Sequence, residues 1–172
     1  VDAVGADKQI WFINNRMIED FRDSNNELIA QCAATHSNVG VIDWYGLSAD
    51  QNGWFWQDGE HIRQESDGVW AFVNLIKDTI KYEPTNEVET KYTVLFLGDE
   101  VPLKASDQLA AVCPGGCIDC AEGRMPEQVV KAYDGYVHKN VVGDVVVVAV
   151  GVKEPFSDDA LQSIVSAVGS NK

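Results

Sequence analysis

The sequence predicts an α/β fold in which a five-stranded, doubly wound parallel sheet is covered by helices on both faces, giving three layers. Five short apolar segments alternate along the chain with longer amphipathic segments, a pattern typical of βα units. The apolar segments are almost continuously hydrophobic, which indicates strands buried on both faces. With 172 residues, 45% of them hydrophobic, the chain suits one domain with a sizeable core.

The first half of the chain contains two predicted βα units. Residues 9–14 and 39–43 are the strands, and the helical spacing of apolar residues follows at residues 18–36 and 66–82. Residues 45–57 are expected to form a long loop. The helix faces expected to pack on the sheet are Ile18, Phe21, Leu28, Ile29 and Cys32 in the first helix, and Val69, Phe72, Val73, Ile76 and Ile80 in the second.

The alternation continues in the second half, after a polar, proline-containing connection at residues 83–91. The predicted elements there are a strand at residues 92–97, a helix at 106–112, a short strand near Ile118, a helix at 126–137, a strand at 145–150, and a last helix that Ser157 caps and Gly169 ends.

The charge and hydropathy of the chain exclude several classes of partner. The formal net charge is −14, which argues against a nucleic-acid partner because a polyphosphate would be repelled. No apolar run is long enough to span a bilayer, and no signal peptide is recognisable. Any membrane anchor is therefore expected to lie outside this sequence.

The four cysteines leave several interpretations open. Cys113, Cys117 and Cys120 have the spacing of a radical-SAM cluster loop, but the chain is too short for such a barrel and lacks a nucleotide-binding glycine motif. A zinc site would need Cys32 as its fourth ligand, which lies on a predicted helix remote in the sequence. One or two disulfides, or plain free thiols, are the favoured alternatives, and we predict neither a metal nor a cofactor.

Asp58 and His61, three residues apart, form the first candidate site. They lie beyond the carboxyl end of the strand at residues 39–43, on the edge where open α/β sheets build their sites. An aspartate can hold an imidazole in one tautomer and leave its other ring nitrogen as a base for a nucleophile. The pair is a candidate catalytic dyad, although solvated loop residues often share this spacing.

Several blocks of the sequence resemble a known family. The strand that ends in Gly98 and Asp99 is similar to the block that opens the SGNH hydrolases, and residues 41–61 resemble the domain of bacterial peptidoglycan O-acetyltransferases. Further matching blocks are Asp119 with Gly123 and Arg124, residues 145–151, and residues 9–15. The resemblance implies that His61 is a base, Asp58 its orienting acid and Gly123 a backbone oxyanion donor. It also implies an extracellular or cell-surface location in a bacterium.

Two departures from the family affect catalysis. Glu100 stands at the position of the family's serine nucleophile, and Lys153 stands at the position of its oxyanion-hole asparagine. Because the family places these groups around one carbonyl, we expect Glu100, Lys153 and His61 to converge, with Glu100 hydrogen-bonded to one of the other two. Asp58 and Asp99 could join Glu100 and His61 in a hard-metal site, but their spacing carries no metal signature.

The matching blocks also occur in permuted order. Residues 1–82 correspond to the family's C-terminal half, residues 83–91 to a linker and residues 92–172 to its N-terminal half. The resemblance therefore predicts a central strand at residues 92–97, flanked by the strands at Val145 and near Ile118.

The two ends of the chain are similar to each other. Residues 1–8 match residues 165–172 at five of eight positions. Coincidence among small residues is one explanation, and a chain cut from a duplicated domain is the other. One folded unit has a single place for this segment, so the second explanation predicts that one copy is displaced or exchanged with a neighbouring molecule.

Two classes of function remain open. The first is a degenerate SGNH domain that binds a cell-wall glycan or a protein partner, with Asp99, Trp54 and Trp56 as possible ligand-lining residues. The second is an active O-acyl esterase or acetyltransferase on cell-wall polysaccharide that uses His61 and Asp58 with an unorthodox nucleophile. The missing serine and asparagine favour the first. A flavodoxin-like nucleotide-binding domain ranks last, because the sequence lacks a phosphate-cradling loop.

Overall fold

The computed structural model describes residues 8–82, 91–153 and 155–169. Its strands are β1 (Gln9–Ile13), β2 (Val39–Ile42), β3 (Tyr92–Gly98), β4 (Cys117–Cys120) and β5 (Val142–Ala149). Its α-helices are α1 (Arg22–Thr35), α2 (Trp44–Ser48), α3 (Gly68–Ile80), α4 (Glu100–Lys104), α5 (Ser106–Val112), α6 (Pro126–His138) and α7 (Asp158–Gly169), and a 3₁₀ turn spans Asn52–Trp54.

The sheet is parallel throughout, in the order β2-β1-β5-β3-β4, and confirms the predicted five-stranded α/β class. β3 lies between β5 and β4, the two neighbours expected for it. The expectation that β3 is the central strand is wrong, because β5 holds the middle of the sheet. The valine run of β5 suits that place, since a middle strand is paired on both edges and covered on both faces.

Helices cover the two faces of the sheet and complete three layers. On one face α1, α6 and α7 bury Ile29, Val129 and Leu161 against the strands. On the other face α3 and α5 bury Phe72 and Leu109. Among the helices of the described residues, none combines the length and the apolar character needed to cross a membrane.

Two local features differ from the sequence-based expectations. α1 begins at Arg22 instead of residue 18, and Ile18 is 70% exposed instead of facing the sheet. The segment expected to be a long loop contains α2 and the 3₁₀ turn. Asp43 accounts for α2, because its carboxylate accepts a hydrogen bond from the Gly46 N–H at 2.9 Å and caps the helix start.

The cysteines of the described chain are free thiols, which is one of the two favoured alternatives. Cys32 and Cys113 are buried, whereas Cys117 and Cys120 are half-buried on β4. The structure therefore contains no cysteine pairing among these four residues.

Two expectations fall largely outside the described residues. The linker at residues 83–91 is described only at Lys91, and the similar chain ends are described only at Lys8 and at residues 165–169. Exchange of an end segment between molecules stays a prediction.

Candidate functional site at the carboxyl edge of the sheet

The carboxyl ends of β3 and β5 lie side by side at one edge of the sheet. These two strands are neighbours, but the helices that follow them lie on opposite faces, α5 on one and α7 on the other. Such a divergence is the place where open α/β sheets bind ligands. Asp99 and Glu100 follow β3 directly, and Lys153 follows β5 by four residues. Three candidate residues are thus delivered to one edge.

Glu100 is the centre of this edge. It is the first residue of α4 and only 2% exposed. One carboxylate oxygen, Oε1, lies 2.8 Å from Lys153 Nζ, and the other, Oε2, accepts the Gly123 N–H at 2.9 Å. One buried carboxylate therefore joins three segments of chain: the start of α4, the loop before α6 and the loop after β5.

The electrostatics indicate that Glu100 is ionised. Burial acts to raise the pKa of Glu100, but the Lys153 ammonium and the backbone amides of Gly123 and Glu100 itself outweigh it, so the pKa lies below its ordinary value. In return, the Glu100 carboxylate raises the pKa of Lys153. The two side chains form an ion pair. The sequence analysis expected Glu100 to hydrogen-bond either Lys153 or His61, and Lys153 is that partner.

The Asp58 carboxylate contacts both the backbone N–H and the imidazole ring of His61. Asp58 Oδ2 lies 3.1 Å from His61 Nδ1, and Asp58 Oδ1 accepts the backbone N–H groups of Glu60 and His61, each at 2.9 Å. Burial acts to raise the pKa of Asp58, but these backbone and imidazole donors outweigh it and lower the pKa. Because Asp58 engages Nδ1, the Nε2 atom of His61 is the one left for chemistry.

Glu60 is a site residue that the sequence analysis missed. Phe55 and Ile62 pair antiparallel and close the intervening segment into a tight loop, in which Gly59 has a φ of 70°. This loop turns Glu60 inward, where it is 7% exposed and its Oε1 atom has no hydrogen-bond partner. Burial, followed by the nearby Glu19 carboxylate, raises the pKa of Glu60. The one feature of the sequence that could have indicated a role for Glu60 is its position between Asp58 and His61.

The structure brings Glu60, His61 and Glu100 together. One ring nitrogen of His61 and one carboxylate oxygen from each glutamate all lie within 4.8 Å of one another. Residues from two distant parts of the chain therefore share one small space. Lys153 faces the same space through its contact with Glu100.

Asp99 lies beside this cluster but has a structural role. It is 1% exposed, and its carboxylate accepts the Val101 N–H at 3.1 Å, which caps α4. Burial raises the pKa of Asp99 to about 7, against the opposing effect of the Val101 amide. Asp99 also lines an open cleft together with Ile13, Asn14, Asn15, Arg16, Trp44, Val101 and Val152.

The two tryptophans expected to line a ligand differ in exposure. Trp54 stacks on the buried Trp44, with ring centroids 6.0 Å apart and planes inclined by 10°. Its packing on Trp44 makes it part of the loop's own core. Trp56 is 55% exposed at the start of the loop that carries Asp58 and His61. Trp56 is thus the more exposed of the two tryptophans, and its backbone N–H donates to the His61 carbonyl at 2.9 Å.

About half of the chain is similar to a bacterial O-acetyltransferase. The O-acetyltransferase OatA of Staphylococcus aureus strain NCTC 8325 is 35% identical over 87 residues, which are 51% of this chain and 14% of that relative. OatA of S. aureus strain COL has the same identity and coverage. A proposed O-acetyltransferase of strain COL is 34% identical over 73 residues, 42% of this chain and 12% of that relative.

These comparisons relate the chain to O-acetyltransferases through part of its length. The matched stretch covers only a small share of each relative, 14% for OatA. No protein-family model matches the chain, and no solved structure matches it.

Proposed function

We propose that the chain is an SGNH-type domain, related to cell-wall O-acetyltransferases, that binds cell-wall glycan at the bacterial surface without turning it over. The similarity to OatA over half of the chain supports the acetyltransferase relationship. The replaced residues of the candidate site support the loss of turnover. The glycan is proposed as the ligand because Trp56 exposes an aromatic ring next to that site.

The observation that carries this proposal is the contact between Glu100 and Gly123. By the SGNH resemblance, Glu100 stands in place of the nucleophile and the Gly123 N–H would bind the oxyanion. In the structure that N–H donates to Glu100 Oε2 at 2.9 Å. If the Glu100 carboxylate attacked an ester, the product would be a reactive anhydride. The Gly123 N–H is also already occupied, because it donates to the anionic Glu100 carboxylate. The site therefore lacks both a competent nucleophile and a free oxyanion donor.

The strand order supports the permuted correspondence to the family. Numbered cyclically from β3, the observed order reads 2-1-3-4-5, which is the order of flavodoxin-like doubly wound sheets. In this numbering Glu100 follows the first strand and His61 follows the last one. We propose on this basis that the two halves of the family domain are exchanged in this chain.

Hydrolysis of an aryl acetate ester tests the loss of turnover. We expect the wild type and Glu100→Ala to match the buffer background, because losing a triad nucleophile typically lowers the rate about a millionfold. Glu100→Ser is expected to restore little, since Lys153 still replaces the asparagine. Glu100→Ser with Lys153→Asn should restore more, and His61→Ala should remove that gain. An active wild type that Glu100→Ala inactivates without unfolding would contradict the proposal.

Binding to purified peptidoglycan tests the glycan ligand. Trp56→Ala should reduce sedimentation of the protein with the insoluble glycan, because the exposed indole offers a stacking surface. Trp70→Ala is the matched control, since Trp70 is 51% exposed on α3 and Trp56 is 55% exposed. Equal loss in both variants, or no binding by the wild type, would remove the glycan from the proposal and leave a protein partner as the ligand.

A second function has one specific observation in its favour. The contact of 3.1 Å between Asp58 and His61 keeps the orientation that a general base requires. An active O-acyl esterase would then need a nucleophile other than serine. Ester turnover that depends on His61 and survives Glu100→Ala would support this alternative.

A further inference from the structure

We propose that Glu60, His61 and Glu100 form a binding site for a divalent transition-metal ion, with zinc as the best fit. The three side chains offer an imidazole nitrogen and two carboxylate oxygens whose atoms lie within 4.8 Å of one another. Zinc sites commonly combine three such ligands with one open position, at ligand distances of about 2.0–2.2 Å. Two ligands about 2.2 Å from one ion are at most about 4.4 Å apart, so the three atoms have to move slightly closer together to share it. This inference does not depend on the proposed function.

His61 is already oriented as a metal ligand. Metal-binding histidines usually donate their second ring N–H to a carboxylate, which fixes the tautomer and the ring plane. Asp58 Oδ2 lies 3.1 Å from His61 Nδ1, and the Asp58 carboxylate is itself held by two backbone amides. This arrangement leaves Nε2 as the coordinating atom and supplies the supporting partner.

Glu60 gives an independent reason to expect a cation. Glu60 is only 7% exposed, and its Oε1 atom is buried without a hydrogen-bond partner. A buried carboxylate oxygen without a partner is unfavourable, because it has lost its hydration and gained no donor. A metal ion between Glu60, His61 and Glu100 would bond the Glu60 carboxylate directly, whereas Lys153 acts on it only through space.

Lys153 is the competitor for this site. Its ammonium lies 2.8 Å from Glu100 Oε1, and it also acts electrostatically on Glu60. The Lys153 side chain is 48% exposed, whereas that of Glu100 is 3% exposed, so the lysine can turn into solvent while the carboxylate stays. Lys153 therefore balances the charge of Glu100 when no metal is bound, and it competes with a metal for that carboxylate.

The ligand set distinguishes between classes of metal. Calcium takes six to eight oxygen ligands and magnesium prefers octahedral oxygen coordination, so two carboxylates and one imidazole serve both poorly. Imidazole combined with carboxylate suits zinc and its first-row neighbours. The free thiols are a separate possible destination for zinc, since Cys117 and Cys120 are half-buried on β4.

Zinc titration of the metal-stripped full chain, followed by calorimetry, tests the site. Glu60→Gln and His61→Gln should each weaken binding at least about 100-fold, because removing a direct ligand exceeds the loss of 10–100-fold typical of a supporting residue. Asp58→Asn should weaken it within that smaller range. His138→Gln is the matched control and should bind like the wild type, since His138 is exposed at the end of α6.

Lys153→Met supplies a test of opposite sign. Removing the competing ammonium should tighten zinc binding by about fivefold, the gain expected from releasing one ion pair whose lysine is half-exposed and screened by solvent. X-ray absorption at the zinc edge should then show nitrogen and oxygen neighbours with one imidazole. Sulfur neighbours, one-to-one binding that His61→Gln leaves unchanged, or no binding at all would each overturn the proposal.

Discussion

Replacing Glu100 by glutamine tests whether its negative charge stabilises the edge of the sheet. Glutamine has nearly the same shape and keeps one oxygen that can accept the Gly123 N–H. It loses the charge that attracts Lys153 Nζ at 2.8 Å. Because the carboxylate also accepts the Gly123 amide at 2.9 Å, the substitution weakens both contacts without creating a large cavity.

The expected loss is about 1–2 kcal/mol in the free energy of unfolding. A hydrogen bond to a charged group contributes about 1.5–3 kcal/mol and a neutral one about 0.5–1.5, so the Gly123 contact loses about 1 kcal/mol. The ion pair adds at most about 1 kcal/mol, because the Lys153 side chain is 48% exposed and solvent screens it. The neutral glutamine no longer incurs the desolvation cost of a buried charge. This gain opposes both losses and keeps the net loss of stability near the lower end of that range.

Urea unfolding in a chelating buffer at neutral pH measures this loss as a shift in midpoint at constant slope. A double-mutant cycle of Glu100→Gln with Lys153→Met separates the ion pair from the Gly123 contact. Glu27→Gln is the control, since Glu27 is exposed on α1 and its glutamine can still accept from Gln31. A Glu100→Gln variant as stable as wild type, or more stable, would refute the idea that this carboxylate stabilises the edge.

Three further predictions concern the core, the thiols and the backbone. Trp44→Ala should lower the free energy of unfolding by about 3–5 kcal/mol, because Trp44 is 2% exposed, whereas Trp56→Ala should change it by less than about 0.5 in the same urea experiment. Burial raises the pKa of Cys32 and Cys113 to about 11, so at pH 8 only about one thiol in a thousand is ionised. Mass spectrometry after iodoacetamide should find both unmodified in folded protein and alkylated in urea; rapid labelling of the folded protein would contradict this. Gly123→Ala should cost about 1–2 kcal/mol, because its φ of 69° disfavours a side chain although the space is open; a neutral result would show that the loop adapts.

Much of the fold could be predicted from local pattern. Near-continuous apolar runs identified β3 and β5, and the helical spacing of Phe72 and Ile76 identified α3, because both periods follow from backbone geometry. The misplaced start of α1 and the overlooked α2 depend on other effects. A cap such as Asp43 adds only about 1 kcal/mol, so it is easily missed in a sequence that also has loop character.

In the candidate site, too, the contact within one short loop could be predicted from the sequence, whereas the contacts between distant residues could not be predicted from local pattern. The Asp58–His61 contact spans three residues and could be expected from the sequence, since one short loop decides it. The ion pair of Glu100 with Lys153 joins residues 53 positions apart, and its prediction relied on a family resemblance. The inward position of Glu60 was not predicted at all.

The sequence by itself determined the alternation of strands and helices, the parallel sheet and the local dyad, because each follows from the spacing of neighbouring side chains. Only the tertiary structure decided that β5 holds the middle of the sheet and that Glu60 meets Glu100. The order of strands sets which chain ends lie side by side, and the loop between Phe55 and Ile62 sets which side chains turn inward. Both depend on packing between elements distant in sequence, which no local period encodes.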